Sequence, residues 1–414
     1  MASSLQLLLI FSVIISSFAH KPTSQNTLIL PLTKDPSTHQ YLTHLYTGTP
    51  MAPTKLVVDL SGPFLWLDCA SRHVSLSHRP IPTGSLQCSR AKATTGCGSG
   101  RSCTLNTVNT ITRAAARGDL AEDILTVERV ERSVRIATVD RFLFSCAPPL
   151  LVNGLASGTK GMLGLGRGRI SLPSQIATSF GSIHRKFAAC LSSNDGFIVS
   201  GKGVPLLRSD ASNSLTYTPL ISNQEGTLED YYINVKSIKI NGKRLSLNTS
   251  KLSMDHEGKG GTKLSTIVPY TTMETTIYET FTKAYVTAAA ATNMTRVASV
   301  APFGVCFSSS DGVDETRVGP AVPAVDLVMQ SEMVRWRIHG RNSMVEVSEG
   351  VMCLGFVDGG SSPDQASIVM GGYQLEDHLL EFDLGASMFG FSSSLLVRES
   401  SCSDFLHSMP RESL

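Results

Sequence analysis

The sequence predicts an all-β protein built as two similar lobes, and three observations carry that expectation. Short Val/Ile/Leu/Thr/Phe runs alternate with Gly, Pro, Ser and Asn punctuation, as in "RFLFSC", "GFIVSG", "VDLVM" and "SIVMGG". Only a few segments carry helical periodicity. The halves also echo each other in order. Each has a β-run leading into a Ser/Thr-containing turn, "LVVDLSGPFLW" and "GGTKLSTIVPY". Each later has an apolar run into a glycine turn, "GMLGLGRGRISLPSQ" and "SIVMGGYQLEDHLLEFDLGASMFGFS". One match would be noise; two in the same order argue for a repeated plan.

Taken in order, residues 1–20, "MASSLQLLLIFSVIISSFAH", read as a secretory signal peptide with a cut near Ala19–His20. The apolar run is too short for the ~20 residues a spanning helix needs, and no later segment is apolar enough to span. The first lobe is expected over 21–221. In it, the run Leu56–Val58 delivers Asp59 into a Ser-Gly-Pro turn, and a second apolar run leads away through Trp66. "GLGRGR", Gly164 to Arg169, lacks the Lys-Ser/Thr step of a phosphate loop and reads as a turn before a helix starting after Ser171. A polar connection is expected over 222–230 and the second lobe over 231–414. There, "YYINVKSIKINGKRL" carries a hairpin signal at Asn241–Gly242. "METTIYETFTKAYVTAAAA" predicts a helix from Met273, with Ile277, Phe281 and Tyr285 four residues apart on one face.

Composition excludes several classes. Apolar content is 42% and charged content 17% over 414 residues, enough for a sizeable core and unlike a disordered chain. A net charge of +2, with basic residues scattered, argues against nucleic acid or an anionic membrane as partner. Nine cysteines, Cys69, Cys88, Cys97, Cys103, Cys146, Cys190, Cys306, Cys353 and Cys402, imply disulfides in a secreted chain, with an odd one left over. The spacing of the Cys88–Cys103 group matches no common zinc pattern, and no metal or cofactor is expected. Sequons at Asn248-Thr249-Ser250 and Asn293-Met294-Thr295 are candidate glycan sites.

Two β lobes that each offer a turn to a shared cleft resemble the pepsin-like aspartic proteases. That resemblance implies the bilobal acid-protease fold, with an Asp-Thr/Ser-Gly turn from each lobe. Two close carboxylates share a proton and activate water, because like charges split their pKa values. Here Asp59 is present, but Leu60 stands for the usual Thr and Ser61 for the Gly. Ser265 stands where the second aspartate would be, and Ile267 replaces a glycine whose small size lets the turns approach. A serine hydroxyl cannot share the dyad proton. The flap over the cleft is matched to Ala115–Val130, which lacks the family's tyrosine. Asp59 therefore reads as a hydrogen-bonding turn residue rather than a catalyst. Asp255 and Glu257 lie upstream with no spacing that aims them at Asp59. No Gly-x-Ser-x-Gly elbow surrounds Ser265, and no motif places any of the ten histidines.

Long segments, among them "RFLFSCAPPLLVNGLASGTKGMLGLGR" and "NMTRVASVAPFGVCF", resemble the plant extracellular dermal glycoprotein group, which includes basic 7S globulins and inhibitors of xyloglucanases and xylanases. Membership implies a secreted, catalytically inert protein of the apoplast or cell wall. Its partner would be a microbial glycoside hydrolase, whose paired acids an inserted cation could block. The matching inhibitory arginines are Arg317 in "DETRVGPAVP" and Arg398 in "LLVRESSC", whose loop is one residue longer than the pattern. Membership also implies Cys69–Cys146, Cys190–Cys402 and Cys306–Cys353 pairs. The group normally carries more cysteines, and the loss falls in the loop between Cys69 and Cys103, leaving the pairing of Cys88, Cys97 and Cys103 open. The alternatives are an aspartic endopeptidase with residual activity, and a storage or peptide-binding globulin.

Overall fold

The computed structural model describes residues 27–70, 75–92, 102–130, 136–181, 185–201, 215–222, 229–309, 313–361 and 366–404. The expected leader at 1–20 and Cys97 lie outside these, as does most of the 222–230 connection. The expected bilobal β architecture is what the chain adopts. No described helix is long and apolar enough to cross a membrane.

Its spine is a run of six antiparallel strands. Thr27–Lys34 pairs with Asp195–Gly201, which pairs with Lys186–Cys190. Lys186–Cys190 pairs with Leu379–Asp383, which continues through Met388–Phe391 to Thr216–Ile221. Sequence-distant strands thus meet in one ladder, and Phe187 stands directly across from Phe382. Their rings stack with centroids 4.8 Å apart, and Tyr231 covers Phe382 at 4.6 Å. Such aromatic contacts contribute about 0.5–1.5 kcal/mol each beyond area burial. Thr216–Ile221, placed by sequence in the first lobe, pairs among the described residues with Met388–Phe391 and Tyr232–Ile233.

Local chemistry places the other elements. Asn241 and Gly242 both take positive φ, the mirror-image turn that joins Ser237–Ile240 to Lys243–Arg244. The long helix spans Thr275–Ala290, capped by the Glu274 carboxylate, which accepts from the amides of Thr276 and Ile277. It buries Ile277, Phe281, Tyr285 and Ala289. The Leu172–Ser179 helix starts after Ser171.

Cys69 bonds Cys146, Cys190 bonds Cys402, and Cys306 bonds Cys353; the structure adds Cys88–Cys103. Beside Cys402, Asp377 takes φ 53°, its amide donating to Leu191 and its carbonyl accepting from Leu395. Its carboxylate is buried and Oδ1 meets no donor. Burial first, and the neighbouring Glu376 second, push this carboxyl up to about 6. The native state thus binds the proton more tightly than the unfolded chain. The stability this gives is complete below about pH 4 and is lost as pH rises through about 6, amounting to roughly 2–3 kcal/mol. Asp377→Asn keeps the positive-φ tolerance and is expected to raise neutral-pH stability by that amount. Urea midpoints across pH 4–7 should then lose most of their slope; an unchanged slope would refute the assignment.

Candidate functional site

Each lobe builds a turn the same way. Ala52–Asp59 runs parallel to Gly161–Gly164, and Thr262–Leu264 runs parallel to Ile368–Met370. At the end of the first, the Asp59 carboxylate Oδ1 accepts from the Ser61 amide at 2.9 Å, an Asx turn. At the end of the second, Ser265 Oγ accepts from the amides of Ile267 at 3.1 Å and Val268 at 3.4 Å. The first turn is clamped by Leu165 N–H to Asp59 O at 2.9 Å and Gly166 N–H to Gly62 O at 2.8 Å. Glycine is required there: a Cβ on Gly62 would lie 2.8 Å from Gly164 Cα, and one on Gly164 would lie 2.4 Å from Gly62 O.

Thr266 hydrogen-bonds one turn to the other. Thr266 Oγ1 donates to Val58 O at 2.8 Å and accepts from Leu60 N–H at 3.0 Å. Leu60 has no hydroxyl to return the bond and lies buried in the core. Ile267, which stands where the family pattern has a small glycine, packs its side chain against the first-lobe apolar cluster that contains Phe64 and Trp66, while Thr266 keeps contact.

A hairpin from Thr104–Val108 to Ala115–Val130 reaches this site. Its tip, not Ala115–Val130 itself, is the part over the turn. Ala115–Val130 is the return strand, and the tip lies upstream at residues 109–114, which also lack tyrosine. Asn109 shapes the tip by accepting from the amides of Ile111 and Thr112. Thr110 then donates its hydroxyl to Asp59 Oδ2 at 2.8 Å. Asp59 is 3% exposed. Burial pushes its carboxyl up, while the Thr110 and Ser61 hydrogen bonds and the Lys263 charge pull it down and Asp230 pushes it up. Lys263 and Asp230 themselves pair at 2.6 Å.

The remaining sequence candidates fall elsewhere. Asp255 Oδ1 caps its own loop by accepting from Glu257 and Lys259 amides, and Glu257 pairs with Lys259. Asn248 and Asn293 are both exposed. Arg317 and Arg398, distant in sequence, are brought together. Arg317 tips a short hairpin of Glu315–Thr316 against Gly319–Pro320, and its guanidinium pairs with Glu399, the neighbour of Arg398. Sequence reading missed Thr110, Thr266, Asp230 and Glu399. Only Thr266 carried a local signal, by sitting beside Ser265 in the turn.

Residues 41–202 match the family model described as xylanase inhibitor N-terminal, and 230–393 match xylanase inhibitor C-terminal. The chain is 49% identical over 405 residues to the probable aspartic proteinase GIP2 of Nicotiana benthamiana, covering 91% of each chain. It is 36% identical over 395 residues to basic 7S globulin of Glycine max, covering 90% of this chain and 89% of that one. The crystal structure of edgp superposes with TM-score 0.86 at 46% identity, covering 93% of this chain and 99% of that one.

Proposed function

The chain belongs to the xylanase-inhibitor family of pepsin-like proteins, the branch that includes basic 7S globulins, and from that premise we propose that it is a secreted, catalytically inert member that binds and inhibits microbial cell-wall glycoside hydrolases. The observation that carries the reading is the state of the Asp59 carboxylate. Oδ1 is engaged by the Ser61 amide and Oδ2 by the Thr110 hydroxyl, while in the corresponding turn of the other lobe Ser265 Oγ accepts from two amides. In this reading Ser265 replaces the second dyad aspartate. A single buried acid has no partner with which to share a proton, so the water-activating step has no base–acid pair. What the scaffold then offers a partner is surface, with Arg317 and Arg398 at its exposed loops. Relatives named basic 7S globulin and gamma conglutin support a second reading, binding or storage without inhibition.

The first test is cleavage of denatured globin by the purified protein across pH 3–6, with and without pepstatin. No cleavage is expected; pepstatin-sensitive cleavage would sink the inert-scaffold reading. Ser265→Asp is expected to gain at most trace activity, because Thr110 still occupies Asp59 and Leu60 still lacks its hydroxyl. Titration against xyloglucanases and xylanases then separates the two remaining readings. Stoichiometric inhibition supports the first, and no effect on any of them supports the second.

A further inference from the structure

A cleft of about 500 Å³ opens beside the Asp59 turn, and its lining is cationic. Among the described residues, Arg90, Lys92, Arg167, Arg169 and Arg185 line it with a single acid, Glu229. Over the whole chain 36 Lys and Arg face 34 Asp and Glu, so five cations to one acid is a local concentration. Two of the guanidiniums are anchored. Arg167 donates to Ile221 O at 3.1 Å and to Ser222 Oγ at 2.6 Å. Arg90 donates to Thr178 Oγ1 at 3.2 Å. The other three cations, Lys92, Arg169 and Arg185, form no ion pair among the described residues.

Glu229 offsets one of these charges at most. It forms no ion pair among the described residues, and its Oε2 is buried against Gly168 without a donor. Burial pushes this carboxyl up, against the pull of Lys92 and Arg167. Clustered like charges raise the energy of the empty site, and an anion of matching shape relieves it. Arginine forks take carboxylate and phosphate oxygens two at a time, and anchoring them beforehand lowers the ordering cost of binding. The volume suits a small molecule.

We propose that this cleft binds a small oligoanion carrying two or three carboxylate or phosphate groups. None of its lining residues lies in the Arg317 or Arg398 loops, so the site is separate from the surface proposed for hydrolases. The test is calorimetric titration of the purified protein at low salt with two probes, trigalacturonate and inorganic tripolyphosphate. At least one is expected to bind, more weakly as salt rises. Stronger binding of the uronate would assign a carbohydrate source, and stronger binding of the tripolyphosphate a phosphate source. The triple variant Lys92→Gln, Arg169→Gln, Arg185→Gln removes three of the five lining cations and should weaken binding about tenfold or more. Should the triple variant fail to fold, Lys92→Gln alone, exposed on the surface, is read for a smaller loss. Arg317→Gln should bind as the native protein does. Binding of neither probe, or equal binding by the cleft variants, would overturn the proposal.

Discussion

Replacing Arg317 by alanine is expected to weaken inhibition of a susceptible glycoside hydrolase by about a hundredfold, the loss typical of a central charged anchor. The expectation follows from the proposed inhibitor reading and from how the residue is held. Its hairpin is braced: Thr316 Oγ1 bonds Gly319 O, Ala321 N–H donates to Asp314 O at 2.8 Å, and Arg341 N–H donates to Val318 O at 2.7 Å. Gly319 takes φ 90°, and a Cβ there would lie 2.2 Å from the Arg341 nitrogen, a place no side chain could share. A braced tip presents the guanidinium with little ordering cost. Its present partner is the Glu399 carboxylate, an exposed pair. The catalytic acids of a glycoside hydrolase would offer the same group, desolvated and in a pair. Arg317→Lys should lose most of the inhibition too, because an ammonium cannot bridge two carboxylates as a fork does. Glu399→Gln removes the internal competitor and should strengthen inhibition up to about fivefold, the limit for an exposed pair. Inhibition constants for the three variants check this. An unchanged constant for Arg317→Ala would move the contact surface elsewhere.

What could be seen in the sequence was what depends on neighbours in the chain. Leu56–Val58 and the following Ser-Gly-Pro mark the Asp59 turn, because β-branched and apolar residues favour the strand and Gly-Pro ends it. Asn241–Gly242 marks its hairpin, and Ile277, Phe281 and Tyr285 mark the buried face of the long helix for equally local reasons. The contacts that define the site are not local. Thr110 reaches Asp59 across 51 positions, set by the register of the hairpin rather than by any residue near the aspartate. Thr266 reaches Val58 across 208 positions. The five cations of the cleft come from three segments, Arg90 with Lys92, Arg167 with Arg169, and Arg185, so no basic run announced them. Matching the flap to Ala115–Val130 erred because that strand holds the stronger β pattern, whereas the tip at 109–114 is polar and reads as a plain loop. The pairing of Cys88 with Cys103 needed coordinates, since spacing alone leaves the choice among three nearby cysteines open.

The largest stability effect is expected at Lys34, where charge is buried between sequence-distant parts of the chain. Its Nζ lies 2.7 Å from Glu376 Oε1, with side-chain exposures of 12% and 4%. Tyr41 Oη donates to the same oxygen at 2.8 Å, and Lys34 also lies over the rings of Tyr41 and Tyr373. Burial first and then Glu376 hold the Tyr41 hydroxyl well above its ordinary pKa, so it remains a donor throughout the working range. Lys34→Met keeps the length of the stem but leaves the Glu376 carboxylate buried without the lysine counter-charge, its Oε1 still accepting from Tyr41. Breaking a buried pair on one side costs about 3–5 kcal/mol, because the remaining charge keeps its desolvation penalty and loses its counter-charge. Removing both charges is different. Lys34→Met with Glu376→Met should recover most of that loss, since a well-packed apolar pair of similar volume is often neutral. The double-mutant cycle in urea, read from midpoints at constant slope, therefore has a defined shape: one large single-mutant loss and a coupling of opposite sign. Near-additive losses would instead mean that Glu376 is held by its backbone neighbours. Its carbonyl already accepts from Asn342 Nδ2 at 3.0 Å and lies 2.8 Å from His378 Nδ1. In that case the Lys34 contact would orient the side chain without stabilising the fold.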